Sequence, residues 1–171
     1  DIAWGYVRFD IGTIPANATI NSATYSLALI NCYSESPMPS SFNIAQVHGN
    51  WNEETLDWNT KPTSGSPMIA APTNCGTSGY WDYNVKSIVE SWKNGAPNYG
   101  FTMYGPKTGR WDIAFKSKEA GAAYTPKLKI SYTYTAGTTP PSGTPSSSQT
   151  TGVTGTGAAT QTTTAAGESE Y

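Results

Sequence analysis

Histidine is almost missing from this chain of 171 residues, and cysteine is scarce, with one His and two Cys in all. Two cysteines cannot make a structural zinc site without other ligands, and a catalytic triad would have to be built on the one histidine. His48 stands beside Gly49 without a Ser/Asp or Cys partner in any recognisable motif, so it reads as a surface or hydrogen-bonded histidine. Charge is also low, at 13% of residues, and ten Lys and Arg are scattered among twelve acids for a net charge of −2. No basic run is available to track a phosphate backbone, which argues against a nucleic-acid partner. No window approaches the roughly eighteen unbroken apolar residues of a membrane span. The opening residues read as strand rather than as a signal peptide, as expected of a mature or excised chain.

What the chain has in quantity is turn formers and β formers: 17 Gly, 12 Pro and 11 Tyr. An all-β fold follows, because these residues favour short pleated strands and tight turns. Val7, Phe9 and Ile11 share one side of an opening strand, with Trp4, Tyr6, Arg8 and Asp10 on the other. Period-two segments recur at 25–29, 42–48, 99–104, 111–118 and 127–135, with a short one at 80–83. Val47 falls out of phase with Phe42 and Ile44, which predicts a bulge. One segment has helical spacing: Val85, Ile88, Val89 and Trp92 at i, i+3, i+4 and i+7, with Asn84 or Asp82 to cap it and Gly95 to end it. The sum is a two-sheet antiparallel β-sandwich with one short helix. Between strands lies WNEETLDWNTKP, Trp51–Pro62, a loop in which Trp51 and Trp58 are expected to be staples onto the β-core rather than ligand platforms.

Cys32 and Cys75 fit a single disulfide in an oxidising compartment, with unlinked thiols as the alternative. Composition changes at Ala136, where a Ser/Thr/Gly/Pro-rich tail begins, so the chain divides into a sandwich over 1–135 and a tail over 136–171. Such a tail suits O-linked sugar, and Asn17-Ala18-Thr19 is an N-glycosylation sequon.

Several ordered motifs together resemble the DNRLRE domain, an extracellular jelly-roll sandwich related to carbohydrate-binding modules. They are VRFDI at 7–11, IPANATINSA at 14–23, the Trp loop, WDYNV at 81–85, WKNG at 92–95, NYGF at 98–101, SKE at 117–119 and PKLKI at 126–130. The resemblance covers residues 1–134. Trp4 and Lys118 stand where that family usually has Arg. Family members also begin a strand earlier, and the tail resembles that missing opening strand.

The resemblance therefore implies a secreted, non-catalytic subunit of an extracellular fibre. Its tail would complete a neighbouring copy by strand addition, with Ala158, Thr160, Thr162 and Thr164 as the donor set, and repetition would give a head-to-tail homopolymer. The rival reading is a polysaccharide-binding module with a mucin-like linker. Its candidate residues are Trp4, Tyr6 and Tyr104 for stacking and Lys116 and Lys118 for acidic saccharides such as uronates, with Tyr33, Tyr80 and Tyr124 as further exposed aromatics. Glu53, Glu54 and Asp57 lie too close together on one loop to flank a sugar ring as glycosidase carboxylates. No cofactor is implied, although those acids or the Asp10 neighbourhood could hold calcium.

Overall fold

The computed structural model describes residues 4–34, 39–73, 79–105, 111–121, 123–135, 147–150, 154–162 and 164–168. Two antiparallel sheets face one another. The first comprises β1 (Trp4–Arg8), β3 (Ser41–Gln46), β4 (Ile69–Pro72), β6 (Phe101–Tyr104) and β11 (Thr164–Glu168), in the order β11-β1-β6-β3-β4. The second is ordered β5-β2-β8-β10-β9, from β2 (Thr19–Ser34), β5 (Tyr80–Asn84), β8 (Lys127–Thr135), β9 (Ser147–Thr150) and β10 (Thr154–Thr162). Strand β7 (Trp111–Phe115) pairs with the far half of β2, and helix α1 spans Lys86–Lys93. This is the expected all-β sandwich.

Alternation fills the space between the sheets. Val7 and Phe9, Tyr25 and Leu27, Phe42 and Ile44, Phe101, and Leu128, Ile130 and Tyr132 form one buried cluster with the helix residues Ile88, Val89 and Trp92. The helix starts where Asn84 Oδ1 accepts the Lys86 N–H at 3.0 Å, and it ends at Gly95, whose φ of 101° only glycine adopts freely.

A second buried cluster lies on the other side of the five-stranded sheet. Tyr6, Val47, Trp51 and Leu56 meet there, with Trp4 and Tyr99 packed against them. This corrects the reading of Val47. The β3–β6 register runs unbroken from Asn43↔Tyr104 to Gln46↔Phe101, so β3 carries no bulge. Val47 is apolar because the Trp loop covers the outward face. A second difference is β4, within a stretch whose Gly, Pro and Ser read as loop. It is a short edge strand ending at Pro72, a position where a proline costs no ladder bond.

Without the tail, β1 and β8 would both present unpaired backbone. The sequence places the tail on a neighbouring copy; in the structure it pairs with its own sandwich. Strand β10 runs antiparallel to β8 from Thr154↔Thr135 to Thr162↔Lys127, and β11 runs antiparallel to β1 from Thr164↔Arg8 to Glu168↔Trp4. One residue separates the two strands, so this segment passes from one sheet to the other and closes that side. A tethered strand competes at high effective concentration, which favours its own edge. The register also places the donor set. Ala158, Thr160 and Thr162 stand level with Ser131, Lys129 and Lys127, whereas Gly157, Ala159 and Gln161 stand level with the core residues Tyr132, Ile130 and Leu128. Thr164 stands level with Arg8.

Gly100 fixes where β1 and β6 meet. Its φ is 91°, and a Cβ there would lie 2.1 Å from the Val7 carbonyl oxygen. Gly100→Ala should therefore destabilise the fold by at least about 3 kcal/mol, adding backbone strain to a clash. Gly95→Ala, with a similar φ but open space around it, should cost only about 1–2 kcal/mol. Urea unfolding of the two variants checks the ranking.

Candidate functional site

The site forms where the Trp loop lies on the outward face of β1. Trp51 is 6% exposed and donates its Nε1–H to the Tyr99 carbonyl at 2.8 Å, so this indole is the staple the sequence promised. Arg8 points outward from β1, with its guanidinium carbon 5.4 Å from the centre of the Trp51 ring and Nη1 donating to Asn50 Oδ1 at 2.9 Å. Around these groups Arg8, Asn50, Trp51, Asn52, Glu53 and Glu54 line an open groove of about 390 Å³.

Local hydrogen bonds hold the loop's shape. Asp57 Oδ1 accepts the Asn59 and Thr60 backbone N–H groups, each at 2.7 Å, and Thr60 Oγ1 accepts the Asp57 N–H and donates to the Thr55 carbonyl. The bonds from Thr60 and then Asn59 hold the Asp57 carboxyl below its usual value. Glu53 forms a charged hydrogen bond with Lys118, on the short 3₁₀ turn Lys118–Ala120, and that bond raises the lysine above its usual range. The Trp loop is thereby latched to the segment after β7.

Trp58 behaves differently from its partner. It is only partly buried, and Lys61 Nζ lies 3.7 Å from its ring centre while donating to the Trp58 carbonyl at 2.9 Å. Trp4 meets Trp58 edge-on, with centroids 6.2 Å apart, and stacks on Tyr104 at 4.5 Å and 14°.

The predicted sugar-contacting residues therefore separate. Trp4 and Tyr104 are brought together, but each covers a face of the other. Tyr6, expected outside, is 3% exposed under the loop with its ring 5.8 Å from that of Trp51, because the loop turns the outward face of β1 into a second core. Lys118 is occupied by Glu53 and Glu119. Lys116 belongs to the other sheet, where its backbone N–H reaches the Ala28 carbonyl. Arg8 and Asn50 were missed; the outward phase of Arg8 beside Tyr6 was the available signal.

Asn17 is exposed on the turn before β2. Cys32 is disulfide-bonded, and Cys75 lies outside the described residues. Among the described residues no three His, Cys, Asp or Glu gather as a metal site, and the calcium candidate Glu53 is held by Lys118 instead.

Residues 3–132 match carbohydrate-binding module family 96. The chain belongs to that family. The matched span of this family 96 module includes every residue lining the groove and excludes the tail. It is 28% identical over 144 residues to the tRNA nuclease WapA of Bacillus subtilis strain 168, a match covering 80% of this chain. It is 33% identical over 97 residues, 55% of this chain, to the tRNA3(Ser)-specific nuclease WapA of Bacillus spizizenii. The module spans only 6% and 4% of those relatives. No solved structure matches.

Two measurements test the loop. Trp51→Ala removes a buried indole and its hydrogen bond and should cost about 3–5 kcal/mol in urea unfolding. Asp57→Ala should loosen the loop in a pH-dependent way. A carboxyl lowered in the folded state contributes stability above its unfolded value near 3.8 and loses it as pH falls through the folded value. Tryptophan fluorescence of wild type and variant should thus differ at neutral pH and converge in strong acid.

Proposed function

We propose that this is a non-catalytic, extracellular polysaccharide-binding module of the DNRLRE type whose ligand lies in the groove over β1. The carrying observation is the family match over residues 3–132, the span containing all six groove residues. The groove's chemistry supports it. Arg8 is pre-set by Asn50 and the Trp51 ring, Asn52 and Glu54 add exposed amide and carboxylate groups, and Glu53 is already matched by Lys118. Near-balanced charge with paired donors and acceptors suits hydroxyl-rich neutral sugars. A disulfide at Cys32 agrees with an oxidising location, and among the described residues no helix is long and apolar enough to cross a membrane.

Titration calorimetry against a panel of neutral and acidic polysaccharides tests this reading. Saturable binding is expected, weakened roughly tenfold or more by Glu54→Gln with Arg8→Gln, because charge-assisted hydrogen bonds are lost. Absence of binding across the panel, or binding untouched by the pair in a folded variant, overturns it.

A second reading keeps the tail strands and changes their owner. The registers on β8 and β1 can be met equally by the tail of another copy, so exchange between copies would build the head-to-tail fibre. Light scattering decides it. Exchange predicts assemblies that grow with concentration and vanish when 136–171 are deleted, whereas a tail paired only in cis predicts monomers of the full chain at every concentration.

A further inference from the structure

We infer that the open edge of strand β7 is a dimer interface, on which a second copy of this chain pairs its own β7 antiparallel about a two-fold axis at Ala114. The interface is independent of the groove over β1 and of the tail strands.

Strand β7 is paired on one side only. It runs along the far half of β2, from Ser34↔Trp111 to Leu29↔Phe115, and among the described residues no strand pairs with its other side. The tail stops short of it: β10 ends at Thr162, level with Lys127 at the start of β8, and β11 belongs to the other sheet. The packing shows the consequence. Leu128, Ile130 and Tyr132 face the core from a strand covered on both sides and are at most 2% exposed, whereas Ile113 and Phe115 pack against the same core and stay only partly buried. Two apolar side chains thus keep surface that a neighbouring strand would cover.

Backbone direction decides which groups the edge offers. The Lys116 N–H is bonded to the Ala28 carbonyl at 2.8 Å, so the Phe115 carbonyl, on the opposite side of that trans peptide, points away from β2. Successive residues of a strand turn their N–H and C=O to alternate sides, which gives those of Asp112 and Ala114 to β2 and leaves those of Ile113 and Phe115 on the open edge. With Ala114 on the axis, Ile113 of one copy lies opposite Phe115 of the other, and the two exchange N–H···O bonds; the symmetry repeats the exchange. Ala114 meets its own copy as a non-hydrogen-bonded pair, where strands come closest and a methyl group fits.

Charge selects this occupant and this register. Asp112 falls opposite Lys116 of the other copy, twice over, and among the described residues neither is in an ion pair within the chain. A slip of two residues would set Asp112 or Lys116 against Ala114 instead. Tyr33, level with Asp112, and Tyr124, whose ring centre lies 5.7 Å from Lys116 Nζ, are each 53% exposed, so a tyrosine from either copy borders each charge pair. An edge whose charges match themselves on reversal fits a second copy of this chain better than an unrelated strand.

The test is the oligomeric state of the full chain, followed by sedimentation equilibrium over a concentration series. Wild type should show a monomer–dimer equilibrium. Asp112→Lys and Lys116→Glu each set like charges opposite one another at two places, and each should weaken the dimer roughly tenfold or more while leaving thermal unfolding of the dilute monomer unchanged. Asp112→Lys with Lys116→Glu in one chain restores both pairs and should recover the dimer, and the two single variants mixed should associate more tightly than either alone. The proposal is overturned if wild type stays monomeric throughout the series, if the folded single variants dimerise as well as wild type, or if the charge-swapped double variant fails to recover. It is equally overturned by assembly that vanishes on deletion of 136–171 and ignores the edge variants, a result that gives self-association to the tail strands.

Discussion

The hydrogen bond from the Trp51 indole to the Tyr99 carbonyl decides what the outward face of the five-stranded sheet becomes. A buried indole needs both apolar contact and a partner for its N–H, and this one finds both outside the main core, against Tyr6, Val47 and Leu56. The loop is thereby laid on β1. Arg8 then has a ring to lie over and an amide to bond, and the segment from Asn50 to Glu54 becomes a wall instead of a free excursion. Every feature of the groove depends on that placement.

A different constraint governs the sides of the sandwich. Backbone groups along β1 and β8 need partners, and side-chain packing cannot supply them. The tail meets both needs with one passage between sheets, its Gly157, Ala159 and Gln161 standing level with Tyr132, Ile130 and Leu128.

Much of the framework was legible along the chain. Alternation located β1, β3, β6, β7 and β8, the i, i+3, i+4 and i+7 spacing located α1, and Gly95 marked its end. Failures came where a residue answers to a neighbour remote in sequence. Val47 broke the period because a loop covers it, and Tyr6 read as surface for the same reason.

The sequence by itself determined the strand-and-turn composition, the sandwich core and the identity of the stapling loop, since these follow from local periodicity and from how few residues could do anything else. Only the tertiary structure decided which face each aromatic serves and which edges the tail fills. Those outcomes depend on register and on loop docking, contacts between residues far apart in the chain that no local pattern encodes.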